Sequence, residues 1–307
     1  MEVSRVKIGI ILPLGENSDT SECPSYKEVK GWAKQAEANG FDSVWVYDHL
    51  IYRFPEKPTQ GVWEAFTFWA ALAEATERVE LGCLVLCTAF RNPAVTAKMA
   101  VTLDHISGGR VILGLGAGWH EPEFDAFGIS FANKVDRFEE AVKIITPLVH
   151  EGKVDFTGKY YSAPNCEMRP APERKIPVLI ASKGPRMLGL TAQYADQWNT
   201  AWFGDYSGSL ERRTEMNAAL VAAGRDPETL EVTVGVQVNF PDLEDLGEVV
   251  ENKDKWISGS IEDVAAALAE YQANGVGHVI VNLHPLTTES IDRLTEALTL
   301  VKERAAV

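Results

Sequence analysis

Apolar segments of strand length alternate along this chain with segments of helix length, and the alternation runs through eight pairs. The strand-like stretches are Val6 to Leu12, Ser43 to His49, Val79 to Leu86, Val111 to Gly118, Pro177 to Ala181, Gln197 to Thr200, Leu230 to Val238 and His278 to Leu283. Helix-like stretches follow them at Ser25 to Asn39, Trp63 to Ala75, Pro93 to about Ile106, about Lys134 to His150, Pro185 to Tyr194, Ser209 to Ala223, Ile261 to Asn274 and Glu289 to about Arg304. Gly40 and the Gly108-Gly109 pair stop two of these helices, and Pro93 suits a first helical turn. Strands apolar on both faces and joined through helices belong in a parallel sheet covered on both sides. Eight such units in 307 residues predict a closed (β/α)8 TIM barrel, one domain spanning residues 1–307. Two stretches break the rhythm. Residues 151–176, with FTGKYY and several prolines, read as an insertion after the fourth unit that contains a hairpin, and residues 239–259 as an irregular insertion after the seventh strand.

The barrel reading governs the sequence VILGLGAGWHEPE, Val111 to Glu123. A β-branched run passes into alternating glycines, as in a buried strand whose end is left bare for close approach. Gly114, Gly116 and Gly118 are spaced G-x-G-x-G, and the third glycine of a dinucleotide fingerprint would fall on Trp119. The segment also follows at least three earlier strand and helix pairs, whereas that fingerprint opens its own unit. A Rossmann nucleotide site is therefore excluded here.

Charge removes other classes. With 29 basic against 44 acidic residues, a net charge of -15 repels nucleic acid and anionic membrane, so the partners expected are small organic molecules. No window approaches a membrane span, the run Ile8 to Leu12 lacks a cleavage site after it, and four cysteines without a C-x-x-C suit a reducing compartment; a cytoplasmic enzyme is expected. Cys83 and Cys87 read as buried thiols.

In a barrel, function is sought where the strands end. The residues collected there are Asp48-His49, Leu86 to Phe90, Gly116-Ala117-Gly118-Trp119, Ser182-Lys183-Gly184, Asn199 to Trp202, and His284. The set offers no H-x-H, no lysine suited to carboxylation and no carboxylate pair on consecutive ends, so neither a metal hydrolase nor a two-carboxylate glycosidase is supported, and no metal is expected. Lys183 in its polar loop is a poor Schiff-base lysine, which disfavours a lyase. Tyr47, Trp119, Trp202 and Phe203 supply aromatic surface for a flat conjugated ligand. Ser182-Lys183-Gly184-Pro185-Arg186 places a hydroxyl, two cations and a glycine at a helix start, an arrangement suited to an anion such as phosphate.

The segments GFDSVWVYDH, VELGCLVL with the following FRNP, TLDHISGGRVILGLGAGWHEPE and PVLIASKGPRMLGLTAQYADQWN, in that order, resemble the bacterial luciferase-like superfamily of barrel oxidoreductases, in the group that includes deazaflavin F420-dependent enzymes. The likeness is strong from Val6 to Thr200 and looser beyond. It implies a redox cofactor at the barrel mouth, F420 in preference to FMN, contacting Leu84, Val85, Gly116, Ala117, Gly118, Ala181, Ser182, Lys183, Gly184 and Pro185. It places Asp48 and His49 where sugar-phosphate dehydrogenases of the group keep an acid and base pair, so that His49 becomes the proton-transfer residue, with Asp48 orienting it or meeting the ring. Asp104-His105 repeats the dipeptide late in a helix and reads as structural. The resemblance also implies a non-prolyl cis peptide at Leu84–Val85, although relatives often carry a small residue where Leu84 stands. Those dehydrogenases have a catalytic carboxylate at the position of Trp119, so sugar-phosphate oxidation is not expected, and Glu121 and Glu123 read as helix-start carboxylates. Tyr47, Trp119, Trp202 and His284 are expected to line the substrate pocket. The function expected is hydride transfer between F420 and an organic substrate; the alternatives are an FMNH2-dependent monooxygenase supplied by a separate reductase and a non-catalytic flavin-binding protein. A homodimer through the helices around the second and third strands is implied as well.

Overall fold

The computed structural model describes residues 5–17, 20–244 and 255–305. Eight parallel strands form its centre: β1 (Lys7–Ile11), β2 (Ser43–Val46), β3 (Glu80–Cys83), β4 (Val111–Gly116), β5 (Val178–Ala181), β6 (Gln197–Phe203), β7 (Glu231–Asn239) and β8 (His278–His284). Each pairs in parallel with the next, and β8 pairs back onto β1 through Lys7 opposite His278, which closes the ring. The chain is a (β/α)8 barrel.

Nine α-helices lie among the described residues: α1 (Tyr26–Ala38), α2 (Ala65–Ala75), α3 (Pro93–Ser107), α4 (Glu121–Ala126), α5 (Lys134–His150), α6 (Pro185–Tyr194), α7 (Ser207–Ala222), α8 (Ile261–Ala273) and α9 (Thr288–Ala305). Their starts are written locally. Ser25 with Glu28 and Ser260 with Asp263 form capping boxes on α1 and α8, and Asn92 caps α3 just before Pro93. Gly108, at φ 68°, ends α3 in the left-handed region that glycine tolerates best.

Burial divides the apolar residues into two layers. The larger lies between sheet and helices and includes Leu81, Leu113, Val142 and Val279. Inside the barrel, Trp45 packs with Ile11, Ile112, Leu179 and Ile280, and a Cβ on Gly82 would fall 2.1 Å from the Trp45 ring. One indole therefore occupies space that branched side chains commonly fill in such barrels.

Several expected boundaries move. The second strand ends at Val46, which releases Tyr47, Asp48 and His49 from the sheet. The third stops at Cys83 and resumes as a short strand at Leu86–Cys87, also paired with β4. The sixth runs on to Phe203, with a register shift between Ala201 and Phe203 opposite β7. The acidic loop after Trp119 contains α4. Between residues 239 and 259, a strand at Trp256–Ser258 pairs in parallel with Gln237–Asn239 of β7, past the stretch of β7 that pairs with β6; residues 245–254 of that insertion lie outside the described set.

The 151–176 insertion does contain a hairpin, Lys153–Thr157 against Ser162–Glu167. Glu140 of α5 secures its turn by accepting the backbone N–H groups of Lys159, Tyr160 and Tyr161 at 2.7, 2.8 and 2.8 Å. Glu140→Ala strands those donors and is expected to cost about 1–2 kcal/mol. The check is the urea midpoint together with protease cleavage at the turn; an unchanged midpoint and an uncut turn would remove Glu140 from this role. Asp104 is structural, as expected: its carboxylate takes the Arg174 guanidinium at 2.7 Å and the Val111 amide at 3.1 Å, joining the end of α3 to β4.

Candidate active site

Because all eight strands are parallel, the ends of β2, β4, β5, β6 and β8 share one mouth of the barrel. The chain leaves β2 as Tyr47-Asp48-His49. Tyr47 turns its hydroxyl toward the end of β1, where it accepts the amides of Leu14 and Gly15 at 2.8 and 2.7 Å, and burial raises the phenol above its ordinary pKa. Asp48 is buried and holds a different partner from the one expected. Both carboxylate oxygens face the Arg91 guanidinium, at 2.8 and 2.9 Å, and one also accepts the Cys87 amide. Asp48 thus ties the second strand end to the third and does not orient His49.

The residue that meets His49 is Glu123 in α4. Its Oε1 lies 2.9 Å from His49 Nδ1, its Oε2 accepts the Leu50 amide at 2.9 Å, and it is 1% exposed. Aromatic rings surround the imidazole: Tyr52 at 4.5 Å between centroids, and Trp119 edge-on at 5.5 Å. His120 packs behind Trp119 and accepts the Arg53 amide on Nε2 at 2.9 Å; burial lowers its pKa and favours the neutral ring. Trp119 itself is 58% exposed at the rim.

The glycines of β4, and Gly118 just beyond it, do not stand bare toward a ligand. A Cβ on Gly114 would lie 1.9 Å from the Cys83 carbonyl oxygen, one on Gly116 would meet Val85 at 2.6 Å, and one on Gly118 would strike Phe124 and Cys87. Gly114 and Gly116 admit the close approach of the neighbouring strand at Cys83 and Val85; the Leu84–Val85 peptide is cis, and Leu84 and Val85 pack on the barrel interior. A parallel arrangement recurs across the mouth. Ala201–Trp202 is also cis, and Gly235 of β7 makes room for it, since a Cβ there would be 2.9 Å from Ala201 and 3.3 Å from the Trp202 ring. Ala117 is partly buried against the outer core.

At the end of β5, Ala181 leads into Ser182, whose hydroxyl lies 2.7 Å from that of Thr191 and whose carbonyl accepts the Trp198 indole N–H. Gly184, at φ 81°, precedes α6, and Pro185 opens the helix. Among the described residues no side chain caps this helix, which leaves first-turn amides for an anion. Of the two cations expected here, Arg186 is committed to Asp136 and Glu139 of α5, whereas Lys183 is exposed and forms no ion pair among the described residues. His284 ends β8 facing the second insertion, 3.5 Å from Glu244 and with its ring 6.0 Å from Trp256.

Glu123 stands at a helix start, as the sequence suggests, but its pairing with His49 was missed. Its local signal was the apolar flank, since Phe124 beside it is fully buried and the helix turns that side inward. Tyr52 and His120 were missed as well: Tyr52 belongs to a hairpin, Ile51–Tyr52 against Gln60–Gly61, too short to stand out in the sequence, and His120 precedes α4 and meets that hairpin through the Arg53 amide.

The chain matches the model of the luciferase-like monooxygenase family over residues 6–257. It is 32% identical over 239 residues, 75% of this chain and 68% of the relative, to an F420-dependent glucose-6-phosphate dehydrogenase of Kineococcus radiotolerans. It is 31% identical over 235 residues, 72% of this chain and 64% of the relative, to the pyrimidine monooxygenase RutA of Allorhizobium ampelinum. Among solved structures, an F420-dependent secondary alcohol dehydrogenase in complex with an F420-acetone adduct superposes with a TM-score of 0.80 at 21% identity, covering 97% of this chain and 99% of that one. The EDTA monooxygenase EmoA of Chelativorans sp. BNC1 superposes with a TM-score of 0.78 at 14% identity, covering 98% and 94%.

Proposed function

We propose that this chain, which belongs to the luciferase-like monooxygenase family, is the kind of oxidoreductase in that family that exchanges a hydride between F420 and an organic substrate. F420 supplies that hydride exchange when bound. The residues fit such a cofactor: the uncapped start of α6 with Lys183 offers donors and charge to an anionic end, and Leu84–Val85 with the apolar barrel interior offers a surface to a flat ring. Ala181, Ser182, Gly184 and Pro185 carry the backbone between these two regions, and Gly116, Ala117 and Gly118 hold the wall beside the ring surface.

His49 carries this reading. A hydride moved to or from an oxygen-bearing carbon leaves one proton to move at the oxygen, and an imidazole serves that purpose near neutral pH. His49 Nδ1 is engaged by Glu123, whereas Nε2 has no hydrogen-bond partner among the described residues. Tyr52, Trp119 and Trp202 give the mouth aromatic walls, which favours a partly apolar substrate.

A second reading is favoured by Trp119, an aromatic group where dehydrogenases of the group are expected to carry an acid, and by the similarity to RutA. It is an FMN-dependent monooxygenase supplied with reduced cofactor by a separate reductase. Separate titrations with F420 and FMN, followed by quenching of cofactor fluorescence, test both. Tighter binding of F420 supports the first reading, FMN alone supports the second, and binding of neither sinks both. Lys183→Ala is expected to weaken the bound cofactor about tenfold, and His49→Ala to leave affinity unchanged.

A further inference from the structure

We propose that Glu123 is the positioning residue that decides which nitrogen of His49 is reactive. This deepens the reading of His49 as the proton-transfer residue and rests on it.

As a carboxylate, Glu123 offers only acceptors. One oxygen is taken by the Leu50 amide, a donor that cannot change its sense, and the other faces His49 Nδ1 at 2.9 Å. The imidazole must therefore carry its proton on Nδ1, and its lone pair sits on Nε2. Burial of Glu123 keeps water from competing for that hydrogen bond, and Tyr52 and Trp119 hold the plane of the ring. When Nε2 takes up a proton, the carboxylate behind the ring faces the imidazolium. Asp48, the neighbour in sequence, cannot serve, because both of its oxygens are bound to Arg91.

Glu123→Gln separates this role from simple packing. The Leu50 N–H requires the amide oxygen, so the new NH2 faces Nδ1, and the imidazole must accept there and move its proton to Nε2. The lone pair then points away from the mouth. Two readouts need neither cofactor nor substrate. Nitrogen-15 NMR of histidine-labelled protein at pH about 8.5, above the ordinary histidine range, should show His49 protonated on Nδ1 in the native protein and on Nε2 in E123Q, the His49 signals being identified by their loss in His49→Asn. Carbethoxylation of His49 by diethyl pyrocarbonate, read by peptide mass spectrometry, should slow about tenfold or more in E123Q, the factor expected from losing one charge-assisted hydrogen-bond preference. The exposed His105 should react at an unchanged rate and serves as the internal standard.

The proposal is overturned by native His49 carrying its proton on Nε2, or by E123Q that keeps Nδ1 protonated and reacts at the native rate. Should E123Q not fold, the native tautomer alone decides. Because no cofactor is present, failure here leaves the F420 and FMN titrations untouched, and failure of those titrations leaves the tautomer result standing.

Discussion

Gly114→Ala is expected to destabilise the protein by about 3 kcal/mol, the upper end of what overpacking a close-packed core costs. The added methyl would fall 1.9 Å from the Cys83 carbonyl oxygen, a backbone atom held in the barrel, and 3.2 Å from Val85. Neither neighbour can rotate away cheaply, because Cys83 is in β3, paired to Val46 of β2, and Val85 packs into the barrel interior. Such a loss is a large fraction of the 5–15 kcal/mol that holds a typical domain together. It is also expected to displace Leu84–Val85, so that, if the cofactor site proposed above is right, residual folded protein should bind cofactor poorly. Gly31→Ala is the control. Gly31 lies in α1 with no atom of the described residues, apart from its own helix backbone, within 4 Å of its Cβ position, and alanine there should stabilise by about 0.5–1 kcal/mol. Urea midpoints and cofactor titration of the two variants give the answer. A Gly114→Ala protein with the native midpoint and native affinity would show that the neighbouring strand yields, and that the glycine is not required there.

The same glycines show where a sequence stops being informative. Alternating glycines at a strand end are compatible with a ligand close to the backbone and equally with a neighbouring strand that steps toward them. Only the cross-strand register, which pairs Leu115 and Gly116 of β4 with Leu86 and Cys87, distinguishes the two. The eight strands were legible because a parallel, doubly covered sheet requires continuous apolar runs, and the first insertion because its hairpin carries its own turn residues. The candidate site was legible as a set of strand ends and illegible as a set of pairs. Asp48 and His49 are adjacent in the chain, yet their side chains leave in different directions, one to Arg91 and the other to Glu123, 74 positions away. Arg186 looked free for an anion because Asp136 and Glu139 lie on another helix, and only the packing of α5 against α6 brings them together. Local rules place a residue on an element; long-range pairing decides what that residue is free to do.

At the opposite end of the barrel, His278 sets a limit on acid stability. Its ring lies at the start of β8, fully buried, edge-on to Trp45 at 5.5 Å. The Ser43 hydroxyl accepts the Trp45 indole N–H and shares a hydrogen bond with His278 Nε2, both at 2.7 Å, while His278 Nδ1 has no hydrogen-bond partner among the described residues. Burial, aided by the nearby Lys7 ammonium, lowers the histidine to about 3. An unfolded histidine titrates near 6.5, so the unfolded state takes up a proton that the folded state refuses, and stability falls as pH drops from about 6.5 toward 3. At about 1.4 kcal/mol per pH unit, the loss between pH 6.5 and 4 is about 3 kcal/mol. His278→Gln keeps a side-chain amide that can either accept from or donate to Ser43 and has no charge to gain. Its stability at pH 7 is set by packing, but its decline over that interval should be shallower than the native decline by most of that amount. Carboxylates that protonate in the same range do so in both proteins and cancel in the difference. Urea denaturation at half-unit pH steps measures the two slopes, and parallel curves would show that the protonation of His278 does not limit folding in acid.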